Sequence, residues 1–185
     1  LHADLEQELR LNGNLANFNR SLTSASLDYT IIKKILKAGI DYDFIYQHNP
    51  GKNFYETRQR ASVSLSGQTK VDPFDFTIKT RLQSIYRDET HGDYKFNPEY
   101  RWRNKLECEY TIFGSPVKPY LSGEIFCPIN GKHGFFLDGY RACLGAKYRL
   151  SAQTSLNFQL RYDQEVQQAN PKGTLYGCIG WNYRL

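Results

Sequence analysis

The sequence predicts an all-β fold, an antiparallel up-and-down transmembrane β-barrel of about ten strands, on three observations. Apolar residues recur at every second position, which is the period of a strand and not of a helix. Most of the alternating segments are long enough to cross a bilayer as tilted strands, which takes roughly 9–11 residues. The apolar face is also zoned, with aromatic rings toward both ends and aliphatic residues between, as where a barrel wall meets two membrane interfaces.

The strands read, in order, as 1–11, 20–31, 36–47, 56–69, 75–87, 99–112, 117–126, 139–150, 154–163 and 174–185. The third shows the alternation well. Leu36, Ala38, Ile40, Tyr42, Phe44 and Tyr46 share one face, and Lys37, Gly39, Asp41, Asp43 and Gln47 the other, with Ile45 as the exception. In the sixth, Tyr100, Trp102, Leu106, Cys108, Tyr110 and Ile112 oppose Glu99, Arg101, Arg103, Lys105, Glu107 and Glu109. The second and seventh carry the weakest pattern. Connections alternate between short turns (32–35, 70–74, 113–116, 151–153) and longer polar loops (12–19, 48–55, 88–98, 127–138, 164–173). That asymmetry marks a meander whose short turns are periplasmic. An even strand number puts both termini at the short-turn end. The whole of 1–185 reads as one barrel domain without a linker.

A soluble barrel would turn its apolar face inward and a membrane barrel outward. The girdles decide for the membrane. Tyr46, Tyr86, Trp102, Tyr140 and Tyr162 gather toward the long-loop end, and Tyr110, Tyr148, Trp181 and Tyr183 toward the short-turn end. Ile40, Val63, Leu65, Leu82, Leu106, Leu121, Leu144 and Ile179 lie between them, while Tyr42 and Phe158 depart from the zoning. No Asp, Glu, Lys or Arg falls on the apolar face within a strand, where a Lys or Arg at mid-bilayer would cost about 2–4 kcal/mol. The last strand alternates Leu175, Gly177, Ile179, Trp181, Tyr183 and Leu185, similar to the terminal strand that outer-membrane assembly machinery reads, with Leu185 where Phe is usual. A lipid bilayer partner and a bacterial outer-membrane location follow as expectations.

Composition narrows the alternatives. No run approaches the ~18 consecutive apolar residues of a spanning helix. The net charge is +5, without the block of like charges that marks a nucleic-acid partner. Cys108, Cys127, Cys143 and Cys178 form no CxxC pair, so no metal site and no cofactor is expected, and free or buried thiols are favoured over disulfides. Met is absent even at position 1 and no signal peptide precedes the first strand. The chain reads as a processed or trimmed product, with room for eleven or twelve strands in the full-length protein.

The inward face carries both signs of charge. Arg58, Arg60, Arg81, Arg101, Arg103, Arg141 and Arg161 concentrate toward the middle and the long-loop half, with Glu56, Glu107, Glu109 and Glu124 as acidic partners. Side chains fill a barrel of about eight strands, and open channels appear near sixteen. About ten strands therefore predict a charged, largely side-chain-filled lumen and a structural role, or an accessory one alongside other outer-membrane proteins. The alternative is a narrow porin-like channel for small anions or acidic oligosaccharides, because rings of Arg favour anions. A barrel hydrolase ranks lower, and catalysis is not expected. His48, His91 and His133 fall in long loops, with Asp88 and Asp93 flanking His91, but no GxSxG or HExxH motif is present. A lipocalin-like binder also ranks lower.

The segment LEQELRL at 5–11, followed by an Asn-rich turn and Arg20, together with 37–46 and RLQSIYRD at 81–88, resembles an uncharacterised outer-membrane barrel family of Gram-negative bacteria, a domain of unknown function. The likeness spans most of the chain through diffuse motifs. It implies a barrel in the outer membrane and further sequence before the first strand. It assigns no catalytic residue.

Overall fold

The computed structural model describes residues 1–12, 17–49, 54–90, 94–130, 134–167 and 170–184. Ten strands follow one another: β1 (His2–Asn12), β2 (Asn17–Ile32), β3 (Leu36–Asn49), β4 (Phe54–Val71), β5 (Phe74–Arg87), β6 (Glu99–Tyr110), β7 (Val117–Pro128), β8 (Gly139–Arg149), β9 (Thr154–Glu165) and β10 (Gly173–Arg184). Each pairs antiparallel with the next, and β1 pairs with β10, so the sheet closes into a barrel without a free edge. Closure satisfies the backbone groups that an open edge would expose to hydrocarbon.

The alternation sorts side chains as expected. On β4, Leu65 is 48% exposed on the outer wall while Ser64 is 8% exposed on the inner one. Ile40, Val63, Leu82, Leu106, Leu121, Leu144 and Ile179 stand outward and exposed, and so do Tyr46, Tyr86, Trp102, Tyr140, Tyr162, Tyr110, Tyr148 and Trp181. An outer wall this apolar is compatible with lipid and not with water. Outer rings also meet each other, as in Tyr46 on Tyr55 at 5.1 Å, Phe74 on Tyr110 at 5.3 Å and Trp102 on Phe135 at 5.6 Å.

Several boundaries differ from the sequence reading. The connections assigned to 12–19 and 48–55 shrink, because β2 starts at Asn17, β3 runs to Asn49 and β4 starts at Phe54. Polar residues there pair in the ladder all the same: His48 faces Tyr55 and Asn49 faces Phe54. Ladder pairing depends on the backbone, so a polar side chain at a strand end conceals the strand from a hydropathy pattern. In the opposite sense, β6 stops at Tyr110, and Thr111 and Ile112 belong to the following turn.

The exception on β3 is a lumen residue. Ile45 is only 2% exposed and pairs with the equally inward Leu22 on β2. Ile85, Tyr120 and Phe126 add further apolar groups inside the barrel. Gly145 makes room for one of them. A Cβ there would stand 2.6 Å from the ring of its cross-strand partner Tyr120, whose hydroxyl donates to Asn157 Oδ1 at 2.9 Å.

Candidate functional site in the barrel lumen

Strand alternation aims charged residues of β1 to β9 at the lumen, and the register decides which of them meet. Arg60 lies directly across the ladder from Asp43, and the two pair at 3.0 Å. Arg141 is opposite Asp163 on one side and Glu124 on the other. It holds Asp163 with two contacts of 2.7 and 2.8 Å and approaches Glu124 at 3.6 Å. Arg103 grips Glu124 through Nε and Nη2, both at 2.9 Å. The Phe126 ring lies between the two guanidinium groups, each 5.0 Å from its centre.

The other predicted arginines are paired as well. Arg58 contacts Glu56 on its own strand. Arg81 and Lys79 both approach Asp41, at 3.5 and 3.7 Å. Arg101 contacts Glu99 and reaches Asp138 at 3.6 Å. Arg161 crosses β10 to reach Glu8 on β1 at 3.1 Å. Toward the short-turn end, Lys147 bridges Glu107 and Glu109 at 2.7 and 2.9 Å.

All these pairs share a geometric property. Each joins residues of one strand, of adjacent strands, or of elements separated by a single strand; among the described residues none spans the lumen to the opposite wall. The network therefore upholsters the wall. Inside it remains a cavity of about 800 Å³, lined from Ser155 and Asn182 near the short-turn end to Glu165 and Lys172 at the long-loop mouth. The sequence reading expected a largely filled lumen. Neighbouring acids capture the long side chains before they can meet in the centre, so open volume persists. Arginine and lysine outnumber aspartate and glutamate in the lining.

At the long-loop mouth, Tyr94 and Asn97 of the connection between β5 and β6 contact the wall. Tyr94 donates to Glu56 Oε2 at 2.8 Å and lies under the Arg87 guanidinium at 5.0 Å. Burial pushes the Tyr94 phenol pKa up, and the bond to Glu56 adds to the shift. Asn97 caps Arg87 by bonding both its N–H and its carbonyl, at 2.9 Å each. Asn130, from the loop after β7, clasps the start of β6 through Pro98 O and Tyr100 N.

Sequence reasoning missed Gln83 and Phe126 as lumen residues and Tyr94 as a contact at the mouth. The inward parity of Gln83 on β5, two positions from Arg81, was available as a signal. Tyr94 lies in a loop, where no periodicity reports direction. Of the loop histidines, His48 packs against Tyr55 at 5.1 Å. His91, Asp93 and His133 lie outside the described residues, as does Leu185. All four cysteines are free, and Cys127, Cys143 and Cys178 are buried.

Comparison with known proteins agrees with this architecture. A solved bacterial polysaccharide outer membrane secretin is 9% identical, with a TM-score of 0.51 over 100% of this chain and 98% of its own. An outer membrane channel from Pseudomonas putida F1 is also 9% identical, with a TM-score of 0.52 over 100% of this chain and 94% of its own. At such identity the likeness establishes the fold, that of bacterial outer-membrane β-barrels. No curated protein matches the sequence. With residues 1–174 matching a family described as proteins of unknown function, DUF2490, the chain belongs to that family.

Proposed function

We propose that the protein resides in the bacterial outer membrane as a narrow passage for small anions. What carries this reading is the open axial volume of about 800 Å³ inside a network that, among the described residues, follows the wall. A structural plug would gain from bridging side chains. Here the pairs among the described residues are local, and the volume left over is faced by a surplus of guanidinium and ammonium groups. Arg60 on β4 lies within electrostatic reach of Arg103 on β6 and Arg141 on β8, so positive charge converges on the lumen from several walls. Such convergence lowers the barrier for an anion and raises it for a cation. Ten strands stand between filled barrels and wide porins, which suits a solute smaller than an oligosaccharide.

Planar-bilayer recording on the purified chain tests this. The expected result is a small conductance whose reversal potential under a salt gradient is anion-selective, and which shifts toward cations in Arg101→Glu. A protein that inserts but carries no current would overturn the passage and leave a structural barrel.

A further inference from the structure

We propose that Arg60, Gln83, Arg103, Arg141 and Arg161 form a mid-lumen binding site for a small multivalent oxyanion, a compact polycarboxylate or a phosphate. The site is a zone of donors without enough acceptors. Gln83 is 1% exposed and lines the cavity. Its Oε1 accepts from Arg103 Nη1 at 3.3 Å, which turns its Nε2 donor away from that partner, and among the described residues no acceptor meets it. Arg60 Nε and Arg161 Nε are likewise buried without an acceptor, in side chains that line the same cavity. Arg161 is itself 8% exposed. Arg87 Nε, toward the long-loop mouth of the same cavity, is another such donor. A buried N–H that loses water and gains no partner is destabilising, and this excess of donors around Gln83 favours a ligand that brings oxygens.

The register makes these groups contiguous. Ser62 faces Gln83, which places Arg60 diagonally beside it, and Gln83 in turn faces Arg101, which places Arg103 diagonally on its other side. Arg141 adjoins Arg103 through the shared Glu124, and Arg161 follows on the next strand, facing Cys143 two positions from Arg141. The local acids Asp43, Glu124, Asp163 and Glu8 each hold one of the four arginines toward the wall. They orient the guanidinium groups and occupy only part of each one's five donors. A ligand with oxygens spread over several directions can satisfy the remainder, whereas chloride offers a single centre. A cavity of about 800 Å³ falls within the usual volume of a small-molecule site.

The site deepens the passage reading and rests on it for solute access. Equilibrium binding, measured separately from current, keeps their failures apart. Citrate and inorganic phosphate are titrated calorimetrically into the purified barrel at low salt, with chloride as control, alongside thermal melts. The expected result is saturable binding of citrate or phosphate that raises the melting temperature, with whichever binds more tightly naming the ligand class. Gln83→Glu supplies the missing acceptors from within. It should raise the melt of the unliganded protein and weaken anion binding at least tenfold. Unchanged binding in Gln83→Glu, or a wild-type protein that neither binds nor is stabilised by either anion, overturns the site. Binding without conductance would uphold the site and overturn the passage.

Discussion

Arg103 on β6 reaches diagonally across to Glu124 on β7, which faces Lys105 in the ladder, and holds it in a two-point contact, Nε to Oε1 and Nη2 to Oε2, both at 2.9 Å. The planar fork matches the carboxylate, so both charges are held in one geometry. Both side chains are 10% exposed, and removal of either leaves the other charged and poorly hydrated. Arg103→Ala is expected to lower stability by roughly 2–4 kcal/mol, somewhat below the loss for a pair in a dry core. Glu124→Ala should cost a similar amount, since it also removes a partner of Arg141. The double variant should lose less than the two single losses combined. Urea unfolding in lipid vesicles measures all three. Strict additivity would show that the contact is not an energetic unit.

The two faces of β4 give a second expectation. Leu65→Arg places a guanidinium in the hydrocarbon belt, at a cost of about 2–4 kcal/mol if the position is near mid-bilayer. Ser64→Arg places the same group in the lumen, near Asp28, whose Oδ1 occupies the space beside Gly39. Folding yields into vesicles should fall sharply for the first and much less for the second. Equal yields would reverse the assignment of lipid and lumen faces.

The mouth supplies a pH dependence. The phenol pKa of Tyr94 is raised in the folded protein, so the folded state binds that proton more tightly than the unfolded chain does. The contribution is complete below the unfolded value of about 10 and is lost as pH climbs through the higher folded value. The contact of the 88–98 loop with Glu56 should therefore persist at neutral pH and loosen in strong alkali. Limited proteolysis between pH 8 and 12 checks this. Cleavage in the loop should rise at the alkaline end for the wild type, while Tyr94→Phe should be more susceptible throughout and lack the alkaline step. A wild-type profile flat across that range would contradict it.

Sequence alone determined the ten strands, their two faces and the sorting of Leu65 outward and Ser64 inward. A bilayer imposes one local rule at every strand, that charge stays off the lipid face, and a period of two residues records that rule directly. It also placed Arg103 and Glu124 on one inner surface and made Glu124 a candidate partner. Only the closed barrel decided the rest. Arg161 finds Glu8 because β10 returns to β1; those residues are at opposite ends of the chain, and no local pattern relates them. Gln83 is left with an unused donor because Arg103 takes its oxygen, a consequence of register and rotamer. A cavity of about 800 Å³ remains inside a wall where Arg60, Arg103, Arg141 and Arg161 each pair with an acid on the same side. Period-two patterning encodes which face a side chain occupies. Which partner it finds there depends on stagger, tilt and closure, and these are properties of the assembled sheet.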